Sequence, residues 1–166
     1  MRKIFVTVVM LFLATVSAFA AYSKYDFPPE EEHIISKKVD LGKDSSGMTW
    51  LLLDYGTNNA GYYAVARKYY SNRDLKRSTV EQLISRYSIP VHKARELLFT
   101  DYRYEYTSDG LRYAEVYRRF YDASGRMIMG MEFDGSSTAR RKTFINVVRN
   151  TIQSKGLAYA TGRLRK

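Results

Sequence analysis

Bulky and charged residues alternate through "LRYAEVYRRFYDASGRMIMGMEF", Leu111–Phe133, around a single turn. A period of two predicts two strands, Leu111–Tyr121 and Arg126–Phe133, each with one buried face. The same period runs through Leu97–Thr107, and Asp109-Gly110 is the two-residue hairpin signal that joins it to the next strand. Upstream, "MTWLLLDYG" (Met48–Gly56) and "GYYAVARKYY" (Gly61–Tyr70) are compact apolar runs separated by the turn residues "TNNA", which predicts a hairpin.

The period changes at "STVEQLISRYS", where Val80, Leu83, Ile84 and Tyr87 recur at helical spacing behind a Ser78/Glu81 capping box. This predicts a helix stopped by Pro90, with Val91–Glu96 as a short connector. Near the end, "STARRKTFINVVRNTIQSKG" (residues 137–156) predicts a second helix. Ser137 or Thr138 would cap it, Phe144, Val147, Val148 and Ile152 would form its stripe, and Gly156 would end it with Lys155 in the last turn. The sum is an α+β domain: about a five-stranded antiparallel sheet, a hairpin plus a three-strand meander, with one inserted helix and one C-terminal helix.

Register decides what the tyrosines do. Pairing outward from Asp109-Gly110 sets Tyr106 opposite Tyr113, Tyr104 opposite Glu115 and Tyr102 opposite Tyr117, so five tyrosines share one face. Gly125 in "YDASGR" suits a type I turn with a G1 bulge, which puts Met127, Met129, Met131 and Phe133 beside Tyr121, Arg119, Tyr117 and Glu115. The tyrosine and methionine rows would then lie together under the helices. A one-residue slip would instead set the methionines beside Ala114, Val116 and Phe120 and leave the tyrosines on the opposite side.

The first residues change the setting. Arg2 and Lys3, the apolar run Ile4–Val16 and Ser17-Ala18-Phe19-Ala20 read as a secretory signal over residues 1–20, cut after Ala20. Residues 21–46 then form a flexible arm, residues 47–156 the single domain and residues 157–166 a basic tail. No later run is long and apolar enough to span a bilayer. With no cysteine there is neither a disulfide nor a lipid-anchor residue. The expected location is the periplasm, with secretion or the cell surface second.

Of the 27 Lys and Arg residues, 25 remain after the signal against 17 acids, so the exported chain is strongly basic. Its expected partners are anionic envelope components or another protein rather than nucleic acid, which the signal leaves behind. Catalytic signatures are sparse. His33 and His92 are far apart, and there is no Gly-x-Ser-x-Gly elbow, phosphate loop or zinc-spaced His pair. Neither a cofactor nor a metal site is expected, although Glu30, Glu31, Glu32 and His33 are a loose acidic run. Glu115 and Glu132 are the carboxylate pair that a glycosidase role would need. Arg118-Arg119 and Arg140-Arg141-Lys142 are the densest basic clusters.

The order of these features resembles the surface-adhesin protein E-like family of small exported bacterial proteins. The resemblance rests on Trp50 in a strand, the paired Tyr62 and Tyr63, a central helical insertion, "YRRFYDASGRMI" and a closing helix, across Met48–Ile152. It implies a small antiparallel sheet with helices, used for binding, in some members to host matrix proteins. Members often carry a cysteine pair and some a lipid-anchor cysteine, and this chain has neither.

The expected function is therefore a non-catalytic binding, adhesion-like or structural module of the envelope, with a contact rim of Tyr62, Tyr69, Tyr70, Arg118, Arg119, Arg140 and Arg141. The alternatives are a periplasmic enzyme acting on cell-wall or glycan substrates, and a periplasmic chaperone or inhibitor.

Overall fold

The computed structural model describes residues 38–133 and 141–164. Among the described residues seven strands form one antiparallel sheet: β1 (Val39–Lys43), β2 (Thr49–Asn58), β3 (Gly61–Tyr69), β4 (Leu97–Tyr106), β5 (Arg112–Asp122), β6 (Met127–Glu132) and β7 (Ile145–Asn146). β1 to β6 neighbour one another in chain order, while β7 pairs with β5 at Arg112 and Tyr113. Among the described residues the helices are α1 (Arg73–Tyr87), α2 (Val91–Arg95) and α3 (Ile152–Ala160). The antiparallel α+β class holds, and the strand count rises because β1 lies within the expected arm and β7 within the expected last helix. Of that arm, residues 21–37 lie outside the described residues, as does the signal segment.

The hairpin and the inserted helix form as the pattern predicts, with a shifted start for the helix. Asn72, not Ser78, caps α1, its side chain accepting from the Asp74 and Leu75 N–H groups. Ser88 in the left-handed region closes it before Pro90.

The C-terminal helix is a correction. Residues 141–150 are extended or turned, and the β-branched run around Ile145 pairs with β5 rather than coiling. Thr151 caps α3 and forms a reciprocal box with Ser154. Gly156 therefore lies inside the helix rather than past its end, and Leu157 of the expected tail is buried. Lys155 falls in the first turn, where its Nζ donates to the Leu41 carbonyl at 2.6 Å and ties α3 to β1.

Both helical groups pack on one face of the sheet. α3 contributes Ile152 and Leu157 to a cluster with Trp50, Leu52, Ala64, Ala66, Tyr102, Tyr104 and Tyr106. α1 contributes Leu83 to a second, with Phe120, Met129 and Met131. Tyr70 packs on both. Leu53, Val65 and Tyr117 form a third cluster on the opposite face, made among the described residues from strands alone.

Bulges place these residues. Tyr106↔Tyr113 and Tyr104↔Glu115 pair as expected, but Val116 is extra, so Tyr102 meets Arg118 and Tyr117 meets Arg103. Gly125 adopts φ +80° and Asp122 N–H donates to the Arg126 carbonyl, the bulged turn that the sequence predicts, and Met127 duly opposes Tyr121. A further bulge then sets Met129 opposite Phe120 and Met131 opposite Arg118. The expected register thus fails beyond each turn: Met129 and Tyr117 lie on opposite sides. Tyr102, Tyr104 and Tyr106 are nevertheless core, because α3 covers them.

Gly156 is what lets α3 lie so close. A Cβ there would come within 3.0 Å of Tyr106 Oη and 3.1 Å of Ala64 Cβ. Gly156→Leu should therefore destabilise the fold by about 1–3 kcal/mol through overpacking. A fall in the urea midpoint, followed by Trp50 fluorescence, checks it.

Candidate functional site

The helix-covered face carries two cations on its floor. Alternation along β3 turns Tyr62, Ala64, Ala66 and Lys68 towards the helices, and Ala66, Tyr102, Arg118 and Met131 form one row across four strands. Lys68 Nζ lies 4.9 Å from the Tyr70 ring centroid, 5.3 Å from that of Tyr102 and 5.9 Å from that of Trp50. Arg118 Cζ also lies 5.3 Å from the Tyr102 centroid. Two cations therefore share one phenol ring, each with a cation–π attraction of about 0.5–2 kcal/mol.

The surrounding polar groups are engaged. Trp50 Nε1 donates to Asp44 Oδ2 at 2.7 Å, which fixes the indole edge. Tyr70 Oη and Thr100 Oγ1 are 2.8 Å apart. Arg118 donates through Nε and Nη2 to both oxygens of Glu115, at 2.8 and 3.0 Å. Among the described residues Lys68 has no ion pair or hydrogen bond, yet solvent reaches its Nζ, since the Nε of Arg103 is the one buried, unpartnered side-chain polar atom there.

Burial, helped by the Arg118 charge, pulls the Lys68 ammonium down to about 8, although Asp44 and Glu115 work to hold it up. For Arg118 burial opposes the charge, and the bidentate Glu115 contact more than offsets it. Desolvation pushes the Tyr102, Tyr104 and Tyr106 phenols well above their ordinary range. The floor thus offers a weakened ammonium, a permanent guanidinium and protonated phenols.

The opposite face balances its own charges. Arg67 is bidentate to the fully buried Asp101, at 2.8 and 2.9 Å, and its guanidinium lies over Phe99. Arg119 pairs with Glu132 and lies over Tyr117, and Lys142 pairs with Glu105. Arg103 lies over Tyr63, between the engaged carboxylates of Asp101 and Glu105 two residues to either side.

The expected rim does not stay together. Tyr70 and Arg118 meet at the two-cation floor, and Tyr62 packs at the edge of the α3 cluster. Tyr69, against Phe99, and Arg119 belong to the opposite face. Arg141 is exposed beside β7, and Arg140 lies outside the described residues. The Glu115/Glu132 pair is also divided, each carboxylate engaged by an arginine on its own face. His92 is exposed on α2. Among the described residues no acidic, His or Cys cluster has metal-holding geometry, and no helix is long and apolar enough to cross a membrane. Glu30–His33 lie outside the described residues.

Lys68 joins the site without having been singled out in the sequence, and Trp50, noted there as a strand residue and not as part of the contact rim, joins it too. The signal for Lys68 was a charged residue continuing the small apolar row Ala64, Ala66 along a strand.

The Lys68 shift fixes a pH dependence. Between about pH 8 and the ordinary lysine value, the unfolded chain holds a proton that the fold has released, so stability rises with pH there. Above about pH 10 the unfolded tyrosines ionise while the buried ones do not, and stability falls. The urea midpoint should therefore peak near pH 9–10. Lys68→Met should be more stable than the parent at pH 7, by up to about 3 kcal/mol, and should lose the rise above pH 8.

No protein-family model matches this chain, and no curated protein or solved structure matches it.

Proposed function

We propose that this chain is an exported, non-catalytic binding module of the bacterial envelope, adhesion-like or structural in role. Its ligand is anionic and seats its charge on the floor between α1 and α3. The observation that carries this reading is the half-buried, unpaired Lys68 ammonium beside Arg118, inside a ring of Trp50, Tyr70 and Tyr102. Two cations held close together against an aromatic wall repel each other, and an incoming phosphate, sulfate or carboxylate relieves that repulsion. The aromatic faces add an apolar contact of the kind a sugar ring or acyl stem provides.

The excess of basic residues supports the same partner class, because a positive field concentrates polyanions at the surface. In the periplasm or outside the cell these are lipopolysaccharide, anionic headgroups and cell-wall polymers. The signal-like N-terminus and the resemblance to the surface-adhesin protein E-like family support the location and the binding role.

Lipopolysaccharide micelles are the probe. Raising salt from about 0.05 to about 0.5 M should weaken their binding about tenfold or more, because the Debye length shortens severalfold. Arg118→Gln should weaken binding severalfold at low salt while leaving the near-ultraviolet circular dichroism unchanged. Binding indifferent to both changes would overturn the reading.

A further inference from the structure

Lys68 has a property that an anion site does not need. Its amine is unpaired, touched by solvent and walled by three aromatic rings, while Asp44 and Glu115, the two acids that act on it, are held by Trp50 and Arg118. A lysine desolvated beside a second cation is the arrangement that frees the amine lone pair. Arg118 meanwhile uses only Nε and Nη2 on Glu115, which leaves Nη1 for a ligand, and its side chain is 36% exposed.

We propose that Lys68 is a carbonyl-reactive amine that forms a reversible imine with a small aldehyde whose anionic group pairs with Arg118. The proposal rests on the anion-binding reading of the same floor and names the ligand class more narrowly. The Lys68 lone pair attacks the carbonyl carbon and the C–N bond forms. Both amine hydrogens pass to the carbonyl oxygen, which leaves as water, and a C=N bond remains. No oxidant, reductant or further reactant is needed, and hydrolysis reverses the step. Burial and the neighbouring guanidinium disfavour a full charge on the amine, and Arg118 orients the carbonyl by holding the ligand's phosphate or carboxylate. Tyr70 and Tyr102 edge the site with phenols that stay protonated, so their hydroxyls are not competing nucleophiles.

With the ammonium drawn down to about 8, roughly a tenth of Lys68 is neutral at pH 7, against less than about one part in a thousand for an ordinary lysine. Arg118 stays charged throughout, and burial brings the Lys68 amine into the range between pH 7 and 9.

The test uses the full exported chain and pyridoxal 5′-phosphate, an aromatic aldehyde with a phosphate, trapped by borohydride and mapped by peptide mass. Lys68 should be modified about tenfold faster than the exposed lysines, with a rate that half-saturates near pH 8. Inorganic phosphate should protect it, and pyridoxal lacking the phosphate should react severalfold more slowly there. Lys68→Arg should abolish the trapped adduct. Modification spread evenly over the lysines of the parent protein, or a Lys68 rate still rising steeply at pH 10, would overturn the proposal without relying on any variant. If lipopolysaccharide binding stays salt-sensitive and Arg118-dependent while Lys68 is not trapped, the imine fails and the anion site stands. If both are lost, the shared floor is the error.

Discussion

One extra residue in β5 decides which side chains meet on the helix-covered face. Val116 is the bulge that sets both Glu115 and itself against Tyr104, so every later position of the strand changes sides. Before the bulge, Tyr113 and Glu115 face the helices, and after it Arg118 and Phe120 do. A regular ladder would have set Tyr117 beside Tyr102 and turned Arg118 away from it. The pairing of Lys68 with a second cation across Tyr102 exists because the register slips there.

The same slip separates the two faces by chemistry. On the helix side, aromatic and aliphatic groups make two clusters, and the two cations sit where Tyr70 joins them. On the other side, Arg67–Asp101, Arg119–Glu132 and Lys142–Glu105 neutralise one another over aromatic rings. Asp101 has no exposed surface, so removing Arg67 would leave a buried charge without its partner. Charge on that face is spent on pairing. On the helix face a cation is left over, and this asymmetry directs the functional reading to the floor between the helices.

The floor is held from both ends. Asp44 grips the Trp50 indole and also caps the turn at Ser46 and Met48. At the other side, Tyr106 Oη donates to the Gln153 carbonyl, and the bare Gly156 backbone lets α3 settle on Ala64. These contacts fix the aromatic wall around Lys68 without touching its amine. The cost of desolvating that amine is borne by the rest of the core.

Much of the architecture was legible in the chain itself. Period-two runs and the turns at Asn58–Ala60 and Gly125 announced the strands, and helical spacing over Val80–Tyr87 announced the inserted helix, because such patterns reflect local backbone geometry. The burial of Tyr102, Tyr104 and Tyr106 was expected from a shared tyrosine and methionine face that the bulges break, and it comes instead from the cover of α3. The C-terminal helix was not, since Ile145, Val147 and Val148 satisfy either period and only the free edge of β5 decided for a strand. Nor were the bulges at Val116 and Ile128, because an inserted residue leaves composition and period almost untouched and is set by how the sheet must twist under its helices. Sequence alone determined that tyrosines and arginines would crowd this sheet. Only the tertiary structure decided that Arg118 shares Tyr102 with Lys68 while Arg119 is neutralised behind them, since a side chain's face depends on every residue paired before it.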